Sequence, residues 1–381
     1  MARVSYKKLW KLLIDRDMKK KDLREATGIS SASMAKLGKN ENVTTDVLVR
    51  ICDIVNCLIL WSWKLAVPTI TKANINRGVV KLKTINPILN TFITGDCEQV
   101  LKEIPSDSID FVLTSPPYAD KRDYGNENSS ISPDEYVEWF LPKGREIYRV
   151  LKPTGSFILN ISDKVVDGFQ HLYVFELLLR LCKEVGFHLV RDYIWYNPAT
   201  PPNVYSRGGY GRTKKSHEYC FWFSKGSDWT FELDPIRKPY SKDMQKYLDG
   251  KGKGARSENV RPSTHNFNCE KVWTNNGGSD PGTVIEIANT SSNDVFMKLC
   301  KEKGIAHPAR FPEKLAEFFI LSGSVEGDVI LDPFSGSGTT AVVAQKNGRN
   351  WIGIDANADY CELAQARIIA ETRTSEEAVN D

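Results

Sequence analysis

From about residue 90 onward, short apolar runs alternate with stretches of amphipathic spacing. The runs are rich in β-branched and aromatic residues, which is typical of buried strands, whereas apolar positions three or four apart indicate helices. The pattern predicts two helices, CEQVLKEI and DEYVEWFLPKGREIYRVL, the second ending at Lys152-Pro153. Strands that alternate with helices predict a doubly wound α/β sheet. The predicted strands are NTFITGD, IDFVLTS, GSFILNIS, FHLVRDYIWY, EYCFWFS, GDVILD and WIGID.

The first 60 residues have a different pattern, which predicts a small all-α domain. Short helices are expected on either side of a break at Gly28-Ile29-Ser30. This segment is also the basic part of the chain, because it holds twelve Lys or Arg and seven Asp or Glu, whereas the net charge of the whole is only +3. The predicted helices are SYKKLWKLLIDRDM, KKDLREAT, SASMAKLGKN and TTDVLVRICDIVN.

The composition is that of a globular protein, with 41% hydrophobic and 26% charged residues. No apolar run reaches the roughly 18 residues of a membrane span, and the amino terminus lacks the apolar core of a signal peptide. We therefore expect a cytoplasmic protein without membrane association. The eight cysteines are scattered without a Cys-x-x-Cys pair, so neither a metal site nor a disulfide framework is predicted.

A serine, two prolines and a tyrosine follow the predicted strand IDFVL. Two prolines remove two backbone donors and fix two φ angles, so this segment has a rigid backbone that presents carbonyl groups. In open α/β sheets, ligands bind beyond the ends of the strands. The sequence therefore predicts a functional loop at Ser115, Pro116, Pro117 and Tyr118.

A second loop, DPFSGSGTT, follows the strand GDVIL. The glycines Gly336 and Gly338 allow a ligand to approach the backbone, and Asp355 ends the next strand about 20 residues further on, where a carboxylate can accept hydrogen bonds from ribose hydroxyls. A phosphate-binding loop fits badly, because Thr339 stands where such a loop needs a lysine. The pattern favours a cofactor that contains adenosine, and a tight structural turn is the alternative.

Together, TSPPY and DPFSGSGTT resemble the amino-methyltransferases of DNA, and the similarity extends over residues 90–370, including HPARFPEK at 307–314. In this family TSPPY corresponds to the catalytic loop and DPFSGSGTT to the cofactor loop. The catalytic loop comes first in this chain, which is the permuted order called the β group. The resemblance implies a Rossmann-like methyltransferase fold with S-adenosylmethionine as cofactor. It implies that Ser115 and the Pro116 carbonyl accept hydrogen bonds from an exocyclic amine and that Tyr118 stacks on the flipped base. It also implies these cofactor contacts: Asp332, Phe334, Gly336 and Gly338 at the methionine end, Asp355 at the ribose, and Asp96 at the adenine edge.

The amino-terminal helices resemble the helix-turn-helix domain of phage repressors. This resemblance implies that SSASMAKL is the recognition helix and that Ser31, Ser33 and Lys36 face the major groove of double-stranded DNA. A helical bundle that kept the fold without contacting DNA is the alternative.

Residues 206–219, SRGGYGRTKKSHEY, form a basic, glycine-rich segment before a strand. We expect DNA phosphates to contact Arg207, Arg212, Lys214 and Lys215, although a solvated charged loop would have the same composition. His217 and Glu218 are interpreted as structural, because adjacent residues on a strand point to opposite faces.

These observations predict a DNA methyltransferase that acts on the N4 amino group of cytosine, the modification partner of a restriction endonuclease with the same recognition site. The resemblance implies cytosine, because the adenine enzymes of this family more often have Asp or Asn before Pro-Pro-Tyr, and adenine N6 is the alternative. The rivals are a transcription regulator with a non-catalytic methyltransferase body and an enzyme that acts on RNA. The predicted segments are 1–66 (helix-turn-helix), 67–89 (linker), 90–234 (catalytic half), 235–300 (target-recognition insert) and 301–381 (cofactor-binding half).

Overall fold

The computed structural model divides the chain into two units, Met1–Thr69 and Ile70–Asp381. Within them, the structure describes residues 19–39, 47, 51, 85–119, 131–201, 213–249, 275–289, 295–305 and 310–379. None of the helices in these ranges has the length and apolar character needed to cross a bilayer.

In the amino-terminal unit, helix α1 (Lys20–Thr27) and helix α2 (Ser31–Gly38) are joined by a tight turn. Gly28 has a φ of 64°, a left-handed conformation in which most side chains are strained, and its N–H donates to the carbonyl of Arg24. The Ser30 hydroxyl caps α2 by accepting from the N–H of Ser33 at 3.1 Å. The buried apolar residues described in this unit are Leu23, Ile29, Leu37, Val47 and Ile51.

The second unit is built on one large sheet, to which the described residues contribute eight strands in the order β1-β10-β9-β2-β3-β7-β6-β8. Strand β7 runs antiparallel to both of its neighbours, whereas every other adjacent pair is parallel. The strands are β1 (Thr91–Thr94), β2 (Ile109–Thr114), β3 (Leu151–Ile161), β6 (His188–Tyr196), β7 (His217–Ser224), β8 (Val284–Glu286), β9 (Val329–Asp332) and β10 (Asn350–Asp355). A separate hairpin contains β4 (Val165–Val166) and β5 (Phe169–Gln170).

Helices cover both faces of this sheet, so its central strands are buried. One face carries a cluster that includes Phe140, Phe157 and Phe223, and the other carries a cluster that includes Trp222 and Phe319. The helices are α3 (Cys97–Glu103), α4 (Tyr136–Val150), α5 (Tyr173–Arg180), α6 (Lys242–Leu248), α7 (Val295–Lys303), α8 (Glu313–Gly323), α9 (Thr339–Lys346) and α10 (Ala358–Val379). The arrangement is the doubly wound α/β fold that the sequence predicted.

Two predicted boundaries differ from the structure. Helix α4 ends at Val150 rather than at Lys152-Pro153, because Leu151 already begins β3 and pairs with Ile109. The division predicted between residues 300 and 301 falls inside α7, whose Phe296 and Cys300 are buried against Leu363 of α10. A division at that point would split one helix, and the contact with α10 groups all of α7 with the residues that follow it.

Candidate active site

The two loops singled out in the sequence lie side by side at one edge of the sheet. Strands β2 and β9 are parallel neighbours, with Val112 paired to Leu331, so the segments that follow both strands emerge together. At their ends, the hydroxyl of Thr114 donates a hydrogen bond to Oδ1 of Asp332 at 2.7 Å. The catalytic loop and the cofactor loop are therefore joined directly where they begin.

Asp332 is the centre of this junction. Its Oδ2 accepts from the hydroxyl of Thr340 at 2.6 Å, and its Oδ1 also accepts from the N–H of Phe334 at 3.1 Å. Burial raises the pKa of this carboxyl to about 6, although the hydrogen bonds from the two threonines act in the opposite direction. A buried carboxylate with several donors fixes the shape of the loop around it.

A second carboxylate, Asp355, holds the middle of the cofactor loop. Its two oxygens accept from the N–H groups of Gly336 and Asn357, each at 2.8 Å. Burial also raises the pKa of Asp355. Gly338 has a φ of 70°, and a Cβ there would lie 2.9 Å from the ring of Phe92, so glycine is required by both conformation and space.

The other predicted cofactor residues lie around the same edge. Phe334 is half-buried, and its ring centroid is 5.7 Å from that of Trp139 on α4. Asp96 follows β1 and caps α3, with Oδ1 accepting from the N–H of Gln99 at 3.2 Å. The neighbouring Gly95 N–H donates to the carbonyl of Asp355 at 2.9 Å, so the structure brings Asp96 to the same edge as the loop.

The catalytic loop is held by contacts on both sides. The hydroxyl of Tyr136 donates to the carbonyl of Pro117 at 2.9 Å. Ser115 is half-buried, whereas Pro116 is buried and the ring of Tyr118 is only 9% exposed. The serine is therefore the accessible polar side chain of the segment from Ser115 to Tyr118.

The hydroxyl of Tyr118 lies in a network that sequence analysis missed. It donates to Oε2 of Glu218 at 2.6 Å, accepts from Nδ2 of Asn160 at 3.0 Å, and lies 3.0 Å from Oγ of Ser115. Burial, followed by the negative charge of Glu218, raises the pKa of Tyr118 well above its usual value, so the phenol stays protonated. Sequence analysis interpreted Glu218 as structural, and the structure adds that this side chain accepts a hydrogen bond from Tyr118 of the Ser-Pro-Pro-Tyr loop.

The direction of β7 explains why sequence analysis missed the contact between Glu218 and Tyr118. This strand is antiparallel to β3, so its first residues lie at the edge where the parallel strands end. Alternation along the strand correctly separates Glu218 from His217 but does not reveal which edge of the sheet they occupy. A polar residue at the start of an antiparallel strand, beside the buried Asn160 of β3, is the signal that points to this site.

The predicted phosphate contacts are only partly described. Arg207 and Arg212 lie outside the described residues. Lys214 is exposed and donates to the carbonyl of Thr200 at 2.9 Å. Lys215 forms an ion pair with the buried Asp163, so its charge is already balanced within the protein.

The residues predicted to read DNA lie at the start and on the surface of α2. Ser31 is exposed, and its hydroxyl accepts from the guanidinium of Arg24 at 3.3 Å. Ser33 is half-buried, with its hydroxyl 3.0 Å from that of Ser30. Lys36 is exposed and is the basic residue of the last turn.

A doubly wound sheet with an acidic, glycine-rich loop beside a Ser-Pro-Pro-Tyr loop defines a methyltransferase that uses S-adenosylmethionine. Comparison with known families specifies the class further. Residues 109–366 match the DNA methylase family, and residues 8–59 match the Cro/C1-type helix-turn-helix DNA-binding domain. The chain therefore belongs to the DNA methylase family and carries a helix-turn-helix domain at its amino terminus, which confirms both resemblances.

Individual relatives agree with this assignment. The chain is 35% identical over 295 residues to the Type II methyltransferase M.PvuII of Proteus hauseri, covering 75% of this chain and 85% of that protein. It is 33% identical over 279 residues to the Orphan methyltransferase M.BamHII of Bacillus amyloliquefaciens, covering 72% and 90%. A solved structure described as PvuII DNA methyltransferase (cytosine-N4-specific) superposes with a TM-score of 0.55 at 30% identity, covering 72% of this chain and 85% of that one.

The residues of the cofactor loop fit S-adenosylmethionine. Ser335 is buried, and its Oγ has no hydrogen-bond partner among the residues that the structure describes. Burial raises the pKa of both Asp332 and Asp355, so a cationic or hydroxyl-rich ligand would stabilise their ionised forms. An ammonium, a sulfonium and two ribose hydroxyls are groups of these kinds.

Proposed function

We propose that this protein methylates the exocyclic N4 amino group of cytosine in double-stranded DNA and is the modification component of a restriction-modification system. The position of Ser115–Tyr118 carries the proposal, because this loop lies directly beside the cofactor loop and is joined to it through Thr114 and Asp332. A serine rather than an acidic or amide residue before Pro-Pro-Tyr favours cytosine. The similarity to a protein described as cytosine-N4-specific supports the same base.

An exocyclic base nitrogen is a poor nucleophile, since its lone pair is delocalised into the ring. The hydroxyl of Ser115 and the carbonyl of Pro116 accept hydrogen bonds from its two protons and so localise the lone pair on nitrogen. The prolines and the contact from Tyr136 to Pro117 fix these acceptors before the base arrives, which avoids reorganisation during the reaction. Stacking of the flipped base on Tyr118 would require the base to reach a ring that is 9% exposed without DNA.

Asp332, Phe334, Gly336, Gly338 and Asp355 would hold the cofactor, with Asp96 at its adenine edge. When bound, S-adenosylmethionine would supply a methyl group attached to a cationic sulfur, and the sulfur would become a neutral thioether when the methyl group is transferred. The ring of Phe334 packs against Trp139 of α4 at this edge of the sheet. The chain's contribution is to place and orient an amine beside that methyl group.

Incubation of DNA with the protein and a cofactor tritiated in its methyl group tests the base. We expect the label in the cytosine fraction after digestion to nucleosides. Label in the adenine fraction alone would refute the cytosine proposal while leaving the membership of the DNA methylase family intact.

We propose a separate role for the helix-turn-helix domain, which is to bind an operator near the protein's own gene and adjust its expression. The insert at 235–300 and the basic segment at 206–219 are expected to supply DNA contacts of their own, in which case a second DNA-binding element is not needed to select the methylated base. The exposed Lys36 and Ser31 of α2 are among the side chains available to such an operator. Removal of residues 1–66 should leave the methylated sequence unchanged, and methylation at a different sequence would contradict this role.

A further inference from the structure

The hydrogen bonds around Tyr118 form a chain with a defined direction. The phenol has one proton, and that proton is donated to Oε2 of Glu218 at 2.6 Å. The same Glu218 oxygen accepts from Nδ2 of Asn160 at 2.9 Å, and this amide nitrogen also donates to the phenol oxygen at 3.0 Å. The carboxylate and the amide therefore fix the phenol proton toward Glu218.

This direction determines what Ser115 can do. Its Oγ lies 3.0 Å from the phenol oxygen of Tyr118, and either atom could donate in that contact. Since the phenol proton is committed to Glu218, the serine must be the donor. The lone pairs of the Ser115 oxygen are then free to accept a hydrogen bond from another group. A hydroxyl in this orientation can bind the N–H of an amine.

We propose that Glu218 is a positioning residue that acts through Tyr118, that it orients the hydroxyl of Ser115 as an acceptor for the target amine, and that it finally receives the proton the amine loses. The inference rests on the proposed function, since it deepens the account of how the same loop handles an exocyclic amino group. It assigns the role to a carboxylate on β7, outside the Ser-Pro-Pro-Tyr loop itself.

The proposed proton transfers conserve both protons and charge. After the new nitrogen–carbon bond forms, the base carries a positive charge. Its nitrogen releases a proton to Oγ of Ser115, Ser115 passes its own proton to the phenol oxygen of Tyr118, and Tyr118 passes its proton to Oε2 of Glu218. The base becomes neutral, the carboxylate becomes a neutral acid, and both hydroxyls remain protonated.

The burial of each residue in this hydrogen-bond network is consistent with its proposed role. Asn160 is 1% exposed and cannot accept a proton at neutral pH, so it orients its neighbours without competing for the transferred proton. Glu218 is half-buried, so its carboxylic acid can return the proton to solvent after the reaction. Tyr118 stays neutral because burial and the charge of Glu218 disfavour its ionised form.

The test compares Glu218→Gln, Tyr118→Phe and the double variant in single-turnover methyl transfer at saturating DNA and cofactor. The amide of Gln can still accept from Tyr118 and Asn160 but cannot take up a proton, so we expect a rate about 10²-fold lower, the usual scale of a lost proton acceptor. Because Glu218 acts through Tyr118, adding Glu218→Gln to Tyr118→Phe should reduce the rate by less than about twofold further. Asp192→Asn removes an exposed carboxylate from the neighbouring strand β6 and should leave the rate unchanged.

A second measurement does not depend on activity. Thermal unfolding of the wild type, the two single variants and the double variant without cofactor should show that the effects of Glu218→Gln and Tyr118→Phe on stability are not additive, as expected for two groups in one hydrogen-bond network. Cofactor affinity, measured by calorimetry, should be the same in all of them.

Three results would overturn the inference. These are a Glu218→Gln rate within twofold of the wild type, a double variant whose loss equals the product of the single losses, and additive effects on stability. If Glu218→Gln does not fold, Tyr118→Phe alone tests the inference. This variant removes the hydroxyl that connects Ser115 to Glu218, so it must lower the rate at least about tenfold. A wild-type protein that transfers no methyl group to DNA would refute the proposed function and this inference with it, whereas an active wild type with an unaffected Glu218→Gln variant would refute the inference alone.

Discussion

The hydroxyl of Thr114 donates to Oδ1 of Asp332 at 2.7 Å, although the two residues are 218 positions apart in the sequence. Thr114 is the last residue of β2 and Asp332 the last of β9, and both side chains are buried. The bond joins the loop that is proposed to bind the target base to the loop that is proposed to bind the cofactor. We therefore expect the relative position of the two reactants to depend on this contact.

Thr114→Val tests that dependence, with Thr340→Val as the matched control. Each variant removes one hydroxyl donor from the buried Asp332 carboxylate and should lower the free energy of unfolding by about 1–3 kcal/mol. Only Thr114→Val breaks the link to the catalytic loop, because Thr340 belongs to the cofactor half of the site. At saturating cofactor, we expect Thr114→Val to transfer methyl groups more slowly than Thr340→Val. Equal rates in a single-turnover assay would show that the link has no role in alignment.

The raised pKa of Asp332 predicts a pH dependence of stability. The folded-state pKa is about 6, against 3.8 for an ordinary aspartate. Below pH 3.8 both states hold the proton, whereas between about pH 4 and 6 the unfolded chain releases it first, so this contribution to stability is present at low pH and is lost as the pH rises through 6. At about 1.4 kcal/mol for each pKa unit, the loss amounts to about 3 kcal/mol at most.

The comparison is with Asp332→Asn, which cannot titrate. Denaturant unfolding between pH 4 and 7 should show the stability advantage of the wild type over Asp332→Asn shrinking as the pH increases. A difference that stays constant across this range would mean that Asp332 titrates with an ordinary pKa.

The two loops should also be separable by mutation. Ser115→Ala removes an acceptor for the target amine and should lower the rate of methyl transfer about 10²- to 10³-fold, as for a lost transition-state hydrogen bond, with cofactor affinity unchanged. Asp355→Ala removes the acceptor for the N–H groups of Gly336 and Asn357 and should weaken cofactor binding first. Calorimetric titration with S-adenosylmethionine distinguishes the two effects. Loss of cofactor binding in Ser115→Ala would contradict these roles.

Much of this architecture could be predicted from local sequence. Strand β9 and the Asp332 loop are recognisable because an apolar, β-branched run ends in an acidic residue and closely spaced glycines, as a strand does where it turns into a cofactor-binding loop. The end of α4 was predicted too late, since Leu151 continues the apolar spacing of the helix while already pairing in β3. Local patterns do not specify strand order, so the contact between Thr114 and Asp332 could not be foreseen.

The contact of Glu218 with the candidate site could not be predicted from local sequence either. It lies 100 positions from Tyr118, on a strand whose antiparallel direction is set by its pairing with β3 and β6. Its role depends on which edge of the sheet the strand begins at, and this is a property of the assembled sheet.

The helix-turn-helix domain makes a prediction about salt. Lys36 is exposed on α2, where it can neutralise a DNA phosphate or reach a base edge. If it binds a phosphate, Lys36→Ala in the full-length protein should weaken binding to a DNA fragment from upstream of its own gene. It should also reduce the slope of log affinity against log salt by about 1. Lys301→Ala, on α7 in the other unit, is the control and should leave that slope unchanged, whereas equal effects of the two variants would argue against operator binding through α2.

The central claim concerns one atom, the N4 nitrogen of cytosine. Liquid chromatography with mass spectrometry of nucleosides from DNA treated with the protein and S-adenosylmethionine identifies the modified position, because N4-methylcytosine, C5-methylcytosine and N6-methyladenine elute separately. The account predicts N4-methyldeoxycytidine with the wild-type protein and at least about 10²-fold less of it with Ser115→Ala, the scale expected for a lost transition-state acceptor. N6-methyladenine or C5-methylcytosine as the sole product, or equal yields from the two proteins, would contradict it.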